Sequence, residues 1–112
     1  MEFPTSVDLG RLEAAAGEAS QLLKALSNRD RLLLLCQMTQ GELSVGMLEE
    51  RTGIRQPTLS QQLTVLREEG LVTTRRAGKQ VFYTVASAKA LALLQLLYTL
   101  YCPSELETAD QA

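Results

Sequence analysis

The sequence contains no histidine, only two cysteines, and no apolar run approaching the roughly eighteen residues that a membrane-spanning helix needs. Each absence removes a class of function. Without histidine or a C-x-x-C spacing no thiolate has an activating partner, and no acid, base or ligand cluster is paired, so an enzyme is not expected. The opening stretch "MEFPTSVDLG" lacks the basic start and apolar core of a signal peptide. The expected location is therefore the cytoplasm, with no membrane association. In that reducing compartment two cysteines do not form a disulfide scaffold; they are either small buried hydrophobes or reactive thiols. Low-complexity segments and repeats of solenoid period are absent as well.

What is present is 112 residues, 46% hydrophobic and 21% charged, a globular rather than a disordered profile. One domain is expected over residues 1–112, with about 1–7 and 104–112 as flexible tails. A chain of this length buries only about two-thirds of its unfolded surface and gains stability from a partner. The net charge of −2 argues against nucleic acid until its distribution is considered. From Arg51 to Lys79 stand Arg51, Arg55, Arg67, Arg75, Arg76 and Lys79 against Glu68 and Glu69, a local +4 that leaves −6 elsewhere. Such a cluster alone is as readily a solvated face as a binding surface.

Asp8 can cap a helix in which Leu9, Leu12, Ala16, Ala19, Leu23 and Leu26 step by three and four, a packing stripe. "LSNRDRLLLLCQMTQG" follows, with Ser27 or Asn28 as cap and Gly41 as stop, a helix too apolar to be exposed. In "LSVGMLEERTG", Ser44 is placed to cap a short helix, Leu43 and Leu48 to staple it, and Gly53 to end it. After a tight turn, Pro57 occupies the first turn of a helix running to Glu69, where Gly70 stops it. Two helices joined by a short turn containing glycine make a helix-turn-helix. "LVTTRRAGKQVFYTV" reads as a β-hairpin with Arg75, Arg76 and Lys79 near its tip, a wing. Ser87 caps a final helix, "AKALALLQLLYTLYC", apolar on nearly every side. The expected fold is therefore mainly α with a small β-hairpin wing, a winged helix-turn-helix that forms a homodimer through its first and last helices.

The helix from Thr58 has apolar residues at Leu59, Leu63 and Leu66, yet the rest of its surface is Thr, Ser and Gln. An ordinary solvated face carries Glu and Lys, whereas Ser and Thr are poor interior helix formers. Gln61 and Thr64 fall opposite the apolar stripe with Thr58 and Ser60 beside them, side chains able to read base edges. Arg55 and Gln56 lie where such a helix approaches the groove, while Arg67, Arg75, Arg76 and Lys79 suit phosphate or minor groove. Double-stranded DNA is the expected partner, and an inverted-repeat operator follows from a two-fold dimer. A winged helix used only for protein contacts is the competing class, distinguished by a weak dependence on salt.

Across nearly its whole length the chain resembles the ArsR/SmtB winged-helix repressors, through "LLKALSNRDRLLLL", "ELSVGMLEERTGI", "QPTLSQQLTVLREEGLV", "RRAGKQVFYTV" and "LYTLYC". Arsenic and cadmium sensors of that family begin the helix at Ser44 with Cys-x-Cys; this chain has Ser44 and Gly46. Zinc, nickel and cobalt sensors use histidines and carboxylates on the last helix, and histidine is missing. No metal or other cofactor is therefore expected. Cys36 and Cys102 match the cysteine pair of a metal-free branch that includes the biofilm growth-associated repressor, its sulfide-responsive relatives and the HlyU-type regulators. By that resemblance both thiols react with a persulfide, polysulfide or oxidant as inducer and become linked, which weakens operator binding. On the residues alone, Cys36 in "LLLLCQM" reads more simply as a core hydrophobe. Cys102, between the last helix and Pro103, sits where solvent and reagents reach. A different inducer, or an anti-repressor role, are the alternatives.

Overall fold

In a computed structural model that describes residues 8–102, helix formation begins at Asp8, whose carboxylate accepts the Arg11 N–H at 3.1 Å and satisfies a donor that the first turn leaves free. The expected tails at 1–7 and 104–112 lie outside the described residues. Helix α1 (Leu9–Leu26) runs 18 residues but buries only Ala25 and Leu26, at its end. Of its stripe, Leu9, Leu12 and Leu23 remain exposed, at 66%, 51% and 56%. Asn28, rather than Ser27, caps α2 (Arg29–Gln37) by accepting the Arg31 N–H at 3.0 Å. As its leucine run requires, Leu34 and Leu35 are fully buried and Met38 nearly so, in a 3₁₀ turn that leads to Gly41.

Strand β1 (Leu43–Ser44) precedes α3 (Val45–Thr52) and α4 (Thr58–Glu68); β2 (Val72–Ala77) and β3 (Gln80–Val85) form the wing, and α5 (Ala88–Tyr101) closes the fold. The sheet is antiparallel in the order β1-β3-β2, with Leu43 opposite Tyr83 and Arg75 opposite Phe82. Mainly helical architecture with a β-hairpin wing thus matches the sequence reading, while the sheet has one strand more than the hairpin predicted. Two residues are too few to show an alternating pattern, and Ser44 also serves as the cap of α3. The core gathers Leu34 and Leu35 from α2, Leu48 from α3, Leu59, Leu63 and Leu66 from α4, Val72 from β2 and Leu94 from α5. Truncating any fully buried leucine to alanine costs about 2–5 kcal/mol.

Helix α5 is capped by Ser87, which accepts the Ala90 N–H at 3.0 Å. It buries Ala90 and Leu94 and leaves Leu96, Tyr98, Leu100 and Tyr101 exposed. One chain does not cover its first and last helices, as their composition predicts. Among the described residues no helix is long and apolar enough to cross a membrane.

Candidate nucleic-acid interface

Helix α3 is held at its start by Ser44, which accepts the Met47 N–H at 3.2 Å, with Leu43 and Leu48 both buried on either side of the cap as the staple requires. At its end Gly53 turns left-handed at φ 75°, a conformation that favours a residue without Cβ. Thr52 secures the exit by donating to the Leu48 carbonyl at 2.7 Å and accepting the Ile54 N–H at 3.2 Å, and Ile54 is buried beneath the turn.

Helix α4 starts at Thr58, so Pro57 is the residue before its first turn rather than in it. With no side chain on Pro57 to cap the helix, Gln56 does so: its Oε1 accepts the Ser60 N–H at 3.0 Å. The Gln56 oxygen thus has one lone pair engaged, and its amide N–H groups remain free for a ligand. Leu59, Leu63 and Leu66 pin α4 to the core, which turns Ser60, Gln61, Thr64 and Arg67 outward, with Thr58 half-buried beside them. The Thr64 hydroxyl donates to the Ser60 carbonyl at 2.8 Å, so toward a duplex it offers an acceptor and a methyl group. Gln61 is exposed and, among the described residues, its side chain has no hydrogen-bond partner, which leaves the carboxamide free. Arg55 is likewise exposed in the turn.

Arg31 orients this helix, and sequence reasoning missed it. From α2 its Nε donates to the Ala25 carbonyl at 2.7 Å, an acceptor that the end of α1 leaves open, and its guanidinium reaches the Lys24 carbonyl, already held by Ser27, at 3.3 Å. The same group donates to Gln62 Oε1 in α4 at 2.9 Å. Gln21 of α1 adds a second tie, to Glu69 beyond α4, at 3.1 Å. The signal was legible in "RDRLLLL": an arginine at the edge of so apolar a helix is half-buried and must find acceptors.

In the wing, strand alternation separates the basic residues. Arg75 pairs with Phe82 and Arg76 with Val81, so they lie on opposite faces of the ribbon, and the turn at Gly78 and Lys79 (Gly78 φ 62°) forms the tip. Arg76 and Lys79 are exposed and have no ion-pair partner among the described residues. Arg75 differs from the sequence reading. It lies mid-strand rather than at the tip, its Nε donates to Glu42 Oε2 at 3.1 Å, a second guanidinium nitrogen holds Glu42 Oε1, and its Cζ lies 5.0 Å from the centre of the Phe82 ring. Hydrogen bonding to Arg75 keeps the Glu42 carboxyl below its ordinary pKa and, reciprocally, raises that of Arg75.

Cys36 and Cys102 are both free and exposed. Although Cys36 follows the fully buried Leu35, it is not the core hydrophobe that its surroundings suggest, because the helix carries it past the buried face. Its thiol pKa is pushed up, first by the protein crowding one side of it and second by the negative charge that Cys102 can carry. Cys102 terminates α5, its N–H donating to the Tyr98 carbonyl at 2.8 Å. Among the described residues no group of three or more His, Cys, Asp or Glu is arranged to hold a metal ion.

Comparison with known proteins meets this geometry. Residues 28–74, from the cap of α2 into β2, match the sequence profile described as "Bacterial regulatory protein, arsR family". The biofilm growth-associated repressor of Xylella fastidiosa (strain Temecula1) is 54% identical over 94 residues, 84% of this chain and 82% of that protein. The crystal structure of the transcriptional repressor BigR from Xylella fastidiosa superposes with a TM-score of 0.80 at 51% identity, covering 88% of this chain and all of that one. A homodimeric winged helix-turn-helix DNA-binding domain from Mycobacterium bovis, a possible ArsR-family regulator, gives 0.69 at 28% identity, with 98% and 96% covered. An outward-facing α4 beside a basic wing, on a scaffold shared with these proteins, is the apparatus of transcriptional regulation rather than catalysis: the chain belongs to the arsR family of DNA-binding bacterial regulators.

Proposed function

We propose that the protein is a dimeric transcriptional repressor that binds an inverted-repeat operator and releases it when Cys36 and Cys102 become linked. The observation that carries this reading is a pair of exposed free thiols, one on α2 and the other at the end of α5. In the dimer the exposed leucines of α1 and the exposed Leu96, Leu100 and tyrosines of α5 meet their symmetry mates, and two α4 helices address half-sites related by the same two-fold. Gln61, Ser60, Thr58, Thr64 and Gln56 read bases, and Arg55, Arg67, Arg76 and Lys79 hold phosphates. The repressor acts in the cytoplasm without a cofactor.

One cysteine thiolate takes the outer sulfur of a low-molecular-weight persulfide and releases the parent thiol. The second thiolate then attacks the inner sulfur of that protein persulfide, expels hydrosulfide and closes a disulfide. If both cysteines are persulfidated first, their reaction expels hydrogen sulfide and leaves a trisulfide. A disulfide requires Cα atoms within about 7 Å, and a longer sulfur bridge relaxes that limit. A coupling of only about 1–3 kcal/mol between link and reading heads lowers operator affinity about 5- to 150-fold.

The test is operator affinity of the wild type, Cys36→Ser and Cys102→Ser before and after glutathione persulfide, with intact-mass analysis of the bridge. Both variants are expected to bind and neither to release. Normal release from Cys102→Ser overturns the paired-thiol switch. A second reading keeps the repressor and replaces the signal with an inducer that is not a thiol reagent. It is favoured by the raised pKa of Cys36, which leaves little of the nucleophilic thiolate near neutrality.

A further inference from the structure

Of the cations that the wing and reading helix present, Arg75 alone is paired among the described residues, and the pairing is two-pronged. Nε donates to one oxygen of Glu42 at 3.1 Å, a second nitrogen holds the other oxygen, and Phe82 lies under the guanidinium at 5.0 Å. Glu42 comes from outside the basic segment, just before β1, and its register beside β3 brings it to the outer face of the wing. Both partners remain largely exposed, with side-chain accessibilities of 57% and 40%, so the pair stands in solvent where a phosphate can compete for it. A forked guanidinium suits carboxylate and phosphate equally, and a carboxylate that already fills it both neutralises the charge and repels a second anion.

We propose that Glu42 masks Arg75 from the DNA backbone, and so limits the sequence-independent part of the protein's affinity. This inference rests on the reading of the wing as a DNA clamp. A duplex exerts its pull through phosphates whatever its sequence, and each phosphate contact adds about 0.9 to the slope of log affinity against log salt. A regulator that must leave non-specific DNA to find its operator benefits from holding that slope down, since specificity is a ratio of affinities.

The probe is a duplex of scrambled sequence, titrated by fluorescence anisotropy between about 50 and 200 mM salt, with wild type, Glu42→Gln, Glu42→Ala and the double variant Glu42→Gln/Arg75→Ala. Both single variants are expected to bind several-fold more tightly at low salt and to steepen the slope by about 0.9, roughly an additional 3.5-fold loss over that range. The double variant is expected to lose that gain. An unchanged slope in both single variants overturns the mask. So does weaker binding by both, which assigns the pair to bracing the wing. The steep slope of the wild type itself checks the underlying reading separately: a flat wild-type slope refutes the clamp, and a steep one with unresponsive Glu42 variants refutes the mask alone.

Discussion

Replacing Arg31 by methionine removes a guanidinium while keeping a long flexible stem in the same place. Three bonds are lost, to the Ala25 carbonyl at 2.7 Å, to Gln62 Oε1 at 2.9 Å and to the Lys24 carbonyl at 3.3 Å. The third is long and exposed and contributes little. Each of the other two, made by a charged donor in a half-buried setting, is worth about 1.5–3 kcal/mol. Water reaching the freed acceptors recovers part of the loss, which leaves an expected destabilisation of about 2–4 kcal/mol. Lysine at the same position keeps the charge but satisfies one acceptor at a time, and is expected to recover less than half. The assay is urea unfolding followed by circular dichroism, at fixed protein concentration because dissociation is linked to unfolding in a dimer. A loss below about 0.5 kcal/mol, the ordinary range of a surface substitution, refutes the claim that Arg31 ties the end of α1 to the reading helix.

Leu12→Glu places a carboxylate on the exposed stripe of α1 and is expected to yield a folded monomer with unchanged far-ultraviolet circular dichroism; an intact dimer by sedimentation refutes the assignment of that face. Gln61→Ala is expected to relax base preference at one operator position by about 1–3 kcal/mol, whereas Lys79→Ala weakens all sequences alike and lowers the salt slope by about 0.9; identical behaviour of the two refutes the division into reading and clamping roles. Alkylation of Cys36 by iodoacetamide is expected to accelerate with pH along a curve displaced above that of an ordinary thiol, because its raised pKa keeps it protonated longer. In Cys102→Ser the curve is expected to move down in pH, toward but not to the ordinary position, since burial persists when the neighbouring charge is gone; no movement separates the two sulfurs.

Much of the reading was local and therefore visible in the chain. Caps at Asp8, Ser44 and Ser87 are bonds to an N–H three residues onward, so the residue and its spacing suffice to place them, whereas at α2 the sequence left Ser27 and Asn28 open and the fold chose Asn28. The buried face of α4 was legible for the same reason, because Leu59, Leu63 and Leu66 recur at the helical period and leave Gln61 and Thr64 opposite. The hairpin was announced by β-branched and aromatic residues on both sides of a glycine turn. Other features depend on partners distant in sequence, and there the periodicity says nothing. Glu42 and Arg75 stand 33 positions apart, as Arg31 and Gln62 stand 31 apart, and only the folded chain brings either pair together. Cys36 was ambiguous because the leucines before it imply burial, while the rotation of α2 that exposes it is set by how α1, α3 and α4 pack around that helix. Residue order thus decided the helices, most of their caps and the polar face of α4, through interactions that span a turn or two. Which cations remain free for DNA, and whether the thiol of Cys36 faces solvent, was decided by tertiary packing, because charge pairing and exposure depend on arrangement in space rather than along the chain.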